Sequence, residues 1–160
     1  MYDTLLSIAQ VLTALAEQPK TIAKSTAGLP ESRLHRSSDN GSWSANDVLA
    51  HLRACSDVWG GYIMRIVNED HPTIRAVNPR TWIKSTNYPS LEFAASMRAF
   101  MKQRAELVRF LQALPDSAWT RAAQVTGAGK PRERTVLEYA QWLANHERSH
   151  LKQIGGGRKT

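Results

Sequence analysis

The sequence predicts an all-α fold: a four-helix bundle with a long crossover loop between the second and third helices. Three observations predict it. Four stretches repeat apolar residues at spacings of three and four, the mark of a helix with one buried stripe. No segment shows convincing strand alternation. The connections before and after the third helix are each roughly 20 residues, too long for helical hairpins throughout. A chain of 160 residues suits one domain, placed at 1–154, with a flexible C-terminal tail at 155–160.

The first helix is expected from about Asp3 to Ala16, with Leu5, Ile8, Leu12 and Leu15 on its buried side and Leu6 widening the stripe. Pro19 is expected to break or kink it, leaving a shorter helical piece to Ala27, with Gly28 and Pro30 as stop signals. Glu31–Gly41 is polar and turn-rich and reads as loop. The second helix has a marked start: Ser44 caps it, Asp47 completes a capping box, and Trp43 is placed to staple onto Val48. Val48, Leu52, Cys55, Trp59, Tyr62 and Ile66 then form its stripe, and it should end near Asn68.

Asp70–Pro89 contains Pro72, Pro79 and Pro89 and shows neither helix nor strand pattern. It reads as a connection over the bundle, with Trp82 and Tyr88 as apolar anchors; loops of that length are often functional. Ser90 is expected to cap the third helix, whose buried side is Phe93, Met97, Phe100, Leu107 and Leu111, and Pro115 ends it. A second loop, Asp116–Arg134, holds Trp119, Gly127, Gly129 and Pro131. Thr135 and Glu138 form a capping box at the start of the fourth helix. Tyr139, Leu143, His146 and His150 share one stripe of it, and Gly155 is expected to end it.

Composition narrows the function classes. The chain is 42% hydrophobic and 22% charged, which argues against wholesale disorder. No apolar run approaches the roughly 18 residues of a membrane span. The N-terminus carries Asp3 and no Lys or Arg before its apolar stretch, a poor signal peptide. Cys55 is the single cysteine, so an intrachain disulfide and a Cys-rich zinc site are excluded. A cytoplasmic protein without membrane association is the expectation. The net charge of +7, from 21 basic and 14 acidic residues, is scattered and reads as a solvated surface. It does not demand nucleic acid, and it can concentrate small anionic substrates. Five tryptophans and the apolar content also suggest apolar surface on the outer helical faces, hence a homodimer.

The chemistry lies in the histidines. His35 and His71 fall in loops and read as exposed. His146 and His150 are four residues apart, so they project from one apolar face, where an unpaired imidazole costs free energy. His51 lies at the edge of the second helix's stripe. Three imidazoles converging from two packed helices suit a divalent transition metal, zinc or nickel first among them, and leave a position open for water or substrate. The alternative is three separately hydrogen-bonded core histidines. Cys55, four residues after His51, reads as a buried inert thiol rather than a ligand.

His146-Glu147-Arg148-Ser149-His150 also fits His-Glu-x-x-His, the zinc-protease pattern. A protease is set aside, because the ten residues after His150 include no His, Asp or Glu to complete the ligand set. Glu147 stands as a candidate general base, with a surface carboxylate as its rival reading. Trp82 and Tyr88 are candidate ligand contacts, together with the Lys84 cation, if the long connection folds over the metal. Gly127-Ala128-Gly129-Lys130-Pro131 lacks the outer glycine and the Ser or Thr of a phosphate loop and reads as a turn. Asn40-Gly41-Ser42 fits a glycosylation sequon, which means little without a secretory signal.

The segments Trp43–Leu52 and Ala144–Ile154, with Trp82, Tyr88, Trp119 and Arg121 between them, occur in an order and spacing that resembles the DinB/YfiT-like superfamily of small bacterial helical metalloproteins. The resemblance spans nearly the whole chain. It implies an up-down-down-up bundle and a metal held by one histidine of the second helix and the pair of the fourth, here His51, His146 and His150. It also implies an activity among metal-dependent hydrolases or transferases that use low-molecular-weight thiols, although many such relatives have no established activity. The leading expectation is therefore a metal-dependent enzyme acting on a small molecule. A non-catalytic metal-binding or stress-response protein is the first rival, and a basic nucleic-acid module is the second. Replacing His146 or His150 by Ala is expected to abolish stoichiometric metal binding, with His51→Ala weakening it strongly and His35→Ala changing little. Elemental analysis of protein purified without a nickel column checks this, and unchanged metal content after removing both His146 and His150 contradicts it.

Overall fold

The computed structural model describes residues 5–37 and 41–156. The expected helix start at Asp3, the sequon residue Asn40 and tail residues 157–160 lie outside them. Four long helices build the bundle: α1 (Ile8–Thr26), α3 (Ala45–Asn68), α5 (Phe93–Gln112) and α6 (Val136–Gly156). Two short ones, α2 (Glu31–Leu34) and α4 (Pro79–Trp82), lie in the connections. α6 packs against α1 and α3, and α5 packs against the same two from the other side. One apolar cluster includes Leu15, Ile63, Trp119 and Leu143. A second, with Ile22, Leu49, Phe100 and Ile154, fills the rest of the core. No described helix is long and apolar enough to cross a membrane.

The all-α expectation needs one correction. Three short strands, β1 (Thr73–Arg75), β2 (Ala122–Thr126) and β3 (Arg132–Thr135), form a sheet of order β1-β2-β3. β1 runs parallel to β2, with Ile74 opposite Val125, and β2 runs antiparallel to β3, with Val125 opposite Arg132. The two long connections are thus hydrogen-bonded to each other. Sequence pattern missed them because β2 buries only Ala123 and Val125, and β3 offers no apolar residue. Gly127 turns the β2–β3 hairpin at φ +84°, where a side chain would be strained and a Cβ would lie 3.1 Å from Arg75 Cγ.

Local capping explains the helix starts. Ser44 with Asp47 caps α3 as expected, and Thr135 with Glu138 does so for α6. At α1 the cap is Ser7, in a box with Gln10. Ser90 does not cap α5. Instead the Glu31 carboxylate of α2 accepts from the Phe93 and Ala94 backbone N–H groups, at 2.8 and 3.1 Å. Burial raises the Glu31 pKa, but these bonds and His35 outweigh that and leave it below the ordinary value. α6 continues to Gly156, so Gly155 lies inside its last turn.

The connection after α3 is not a free loop. It retraces α3 from its end towards its start. The Val77 N–H donates to Tyr62 Oη at 2.7 Å. Trp82 Nε1 and Tyr88 Oη both donate to Asp57 Oδ2, at 3.1 and 2.6 Å. Asn46 Nδ2 donates to the Pro89 and Leu91 carbonyls, each at 3.3 Å.

Of the break or kink expected at Pro19, the break does not occur: α1 runs through it to Thr26. A proline inside a helix removes the N–H that would bond the carbonyl four residues earlier, here Leu15. That carbonyl accepts from Arg104 Nη1 at 3.1 Å instead. Arg104, 2% exposed, also donates from Nη2 to Ser56 Oγ at 3.0 Å and pairs through both terminal nitrogens with Glu147. One guanidinium therefore joins α1, α3, α5 and α6. Glu147→Ala leaves this buried charge unpaired and should cost about 3–5 kcal/mol in chemical denaturation. Arg104→Met with Glu147→Leu should cost less, and adding Pro19→Ala to that pair should recover stability by restoring a donor to Leu15. A loss below about 1 kcal/mol for Glu147→Ala contradicts the assignment.

Candidate metal centre

The capped start of α3 and the second half of α6 lie side by side, and three imidazoles meet there. His51 Nε2 and His146 Nε2 are 3.0 Å apart. The His150 ring stands 4.7 Å from that of His146 and 5.2 Å from that of His51, between centroids. His35 and His71 lie elsewhere, paired with Glu31 and Glu133. The His150 Nδ1 faces Gln153 Oε1. An amide oxygen only accepts, so Nδ1 donates in this arrangement and Nε2 is the nitrogen left to face a ligand.

Cys55 is closer to the site than an inert core thiol would need to be. Its Sγ lies 3.5 Å from His51 Nε2 and 3.6 Å from His146 Nε2. His51, Cys55 and His146 form a compact set of potential ligand atoms, all within 4.8 Å of one another. The signal was in the sequence, since Cys55 follows His51 by one helical turn, as His150 follows His146. Tetrahedral zinc, with bonds of about 2.0–2.1 Å to nitrogen and 2.3 Å to sulfur, spaces its ligands by roughly 3.3–3.6 Å. The nitrogen–sulfur separations match that spacing, and the nitrogen–nitrogen distance is slightly shorter.

Burial sets the protonation. Desolvation, then the neighbouring His150 and Arg80 charges, lower His51 to about 4. Desolvation with His150, His51 and Arg80 lowers His146 to about 3. Both are neutral at pH 7, the form that ligates metal. Burial, and the Glu147 charge after it, push the Cys55 thiol up to about 12. The donor set present, two neutral imidazoles beside a thiol and a third imidazole, fits a borderline-soft divalent cation.

A cleft of about 320 Å³ opens over His51, Cys55 and His146, lined also by Trp59, Trp142, Arg80, Asn78 and Pro79. His150 stands beside these groups but neither lines the cleft nor belongs to the compact set of ligand atoms. The long connection reaches the site, but through Asn78–Arg80. Trp82 and Tyr88 do not line the cleft; both are tied to Asp57, and Arg53 stacks over the Tyr88 ring at 3.7 Å. The nearby cation is Arg80, held over Trp43 at 4.6 Å, rather than Lys84. Trp43 in turn lies 5.1 Å from the His51 ring. Glu147 is fully buried rather than at the surface, with both oxygens on Arg104.

The sequence pattern of the DinB superfamily matches residues 14–154. The structure is similar to that of YfiT from Bacillus subtilis, described as a probable metal-dependent hydrolase with an unusual four-helix bundle topology. The two agree with a TM-score of 0.80 at 16% identity, over 98% of this chain and 90% of the other. No match was found among curated proteins.

Proposed function

The chain belongs to the DinB superfamily, and from that premise we propose that it is a divalent-metal-dependent enzyme, a hydrolase or a transferase of low-molecular-weight thiols. The metal, zinc or nickel, is held by His51, His146 and His150. The observation that carries the reading is the approach of three rings from two helices, with the His51 and His146 Nε2 atoms 3.0 Å apart at an open cleft. The description of YfiT supports the hydrolase arm. A cation held here supplies Lewis acidity, polarising a carbonyl or lowering the pKa of a water or thiol at its open side.

The chain's own residues do the rest. Gln153 fixes the His150 tautomer, and Arg80 offers a positive group at the cleft for an anionic substrate or thiolate. Glu147 acts through Arg104 to fix how α6 is turned, so that His146 faces α3. Trp82 and Tyr88 hold the connection to α3 through Asp57.

The same reading includes the up-down-down-up course of the helices, and the residue pairs favour it. Leu6, just before α1, meets Gln141 of α6, Gln18 of α1 meets Ala144, and Ile22 shares a cluster with Ile154, an order that favours one direction for the two helices. On α3 and α5, Arg53 meets Ser96 and Asp57 meets Gln103, again in one direction. Between α3 and α6 the pairs His51–His146 and Tyr62–Tyr139 run oppositely.

A second reading is favoured by one observation. If the Cys55 thiol joins the ligands, four side chains close the site, as in structural rather than catalytic zinc centres. Turnover separates the two. The metal-loaded protein should hydrolyse a member of an ester and amide panel, or conjugate a small thiol to an electrophile, and His51→Ala should reduce this to background while Cys55→Ser retains it. Stoichiometric metal without turnover, and a thiolate-to-cobalt absorption band that Cys55→Ser removes, would establish the closed, non-catalytic site instead.

A further inference from the structure

The larger of the two clefts lined by Trp59 and Trp142 has no part in holding the metal, and its walls have a distinct chemistry. It encloses about 440 Å³ and shares Trp59, Asn78, Pro79 and Trp142 with the cleft over the imidazoles, so the two are immediate neighbours. One wall is aromatic. Trp59 and Trp142 stack at 5.4 Å with 30° between their planes. Tyr139 continues the stack, nearly parallel to Trp142 at 6.4 Å. Trp142 remains 36% exposed, apolar surface that a flat apolar molecule would cover.

The β2–β3 hairpin supplies another part of the lining. Strand alternation places Arg132 and Arg134 on one face of β3 and Glu133, which binds His71, on the other. Arg132 lies opposite Val125, and both line the cleft. Lys130, from the turn, adds a third cation. Among the described residues, no carboxylate lines this cleft. Arg134 pairs with Glu138 at 3.6 Å, whereas neither Lys130 nor Arg132 forms an ion pair with a described residue.

We propose that this cleft is the substrate-body site, and that it takes an organic carboxylate carried on a flat, aromatic or similarly apolar frame. The frame lies along Trp142 and Trp59, the carboxylate meets Lys130 and Arg132, and the residues shared with the neighbouring cleft place the bound molecule beside the imidazoles. A cleft lined by both aromatic and cationic groups selects against neutral aromatics and small aliphatic anions, because each satisfies one set of groups alone. What happens to the bound molecule rests on the metal-centre reading. The binding itself does not, and this allows the two to fail separately.

Calorimetric titration with 2-naphthoate tests it, with 2-naphthylmethanol as the neutral frame and acetate as the bare anion. Naphthoate should bind saturably and more tightly than either, equally to metal-loaded and chelator-stripped protein. The double variant Lys130→Ala with Arg132→Ala, both exposed in the parent, should weaken naphthoate at least about tenfold, the scale of losing charge-assisted bonds to a carboxylate, and leave the alcohol unchanged. Trp142→Ala, checked for an unchanged helical spectrum, should weaken naphthoate and the alcohol together. The proposal is overturned if naphthoate fails to saturate at millimolar concentration or matches acetate. It is equally overturned if the double variant binds naphthoate as the parent does, or if binding requires the metal, which would place the carboxylate on the metal rather than on the hairpin.

Discussion

The structure depends on the guanidinium of Arg104. It is buried where the four long helices meet, and each of them supplies part of its environment: the Leu15 carbonyl, the Ser56 hydroxyl, the arginine itself and the Glu147 carboxylate. Removing two charges from water is expensive, and the cost is offset only where geometry and hydrogen bonds are good. Two constraints on the bundle follow. α1 can pass Pro19 without a break because the orphaned carbonyl finds a donor on α5. α6 cannot turn about its axis without pulling Glu147 off Arg104. His146, the adjacent residue, is turned by about 100° from Glu147 and so faces α3. The pair thus fixes the side of α6 that carries the imidazoles.

A second hub organises the surface. Asp57, two residues after Cys55 on α3, accepts from Trp82, Tyr88 and Gln103. It binds the returning connection to the bundle and also ties in α5. Because the connection must retrace α3 before α5 begins, its Asn78–Arg80 stretch is carried past the imidazoles. The sheet anchors the start of that return at β1 and brings the β2–β3 hairpin alongside. The metal-side cleft and the larger cleft share walls for this reason: both are roofed by the same returning chain.

The sequence was most legible where structure is local. The stripe from Val48 to Ile66 and the capping boxes at Ser44 and Thr135 are set by residues within a turn of one another, and they defined α3 and the start of α6. The imidazoles were legible for the same reason, being placed on apolar stripes by spacing alone. What was not legible came from partners distant in the chain. Pro19 reads as a helix breaker until Arg104, 85 residues on, supplies the missing donor. Glu147 reads as a surface carboxylate until that same arginine buries it. Glu31 displaces Ser90 as the cap of α5 from another connection altogether. The strands are too short, and β3 too polar, for alternation to announce them; pairing between the two connections makes them. Cys55 had the right spacing, but its distance to the imidazoles depends on how α3 and α6 are turned, which the ion pair decides.

The chemistry of the site turns on a divalent metal ion held by these imidazoles. X-ray absorption at the metal edge, on protein purified without a metal-affinity column, is the direct test. One tightly held ion per chain is expected, with imidazole scattering from three histidines at about 2.0–2.1 Å, and sulfur at about 2.3 Å only if Cys55 closes the site. Protein that carries no ion and takes up none stoichiometrically, or an ion surrounded by oxygen without imidazole, would contradict it.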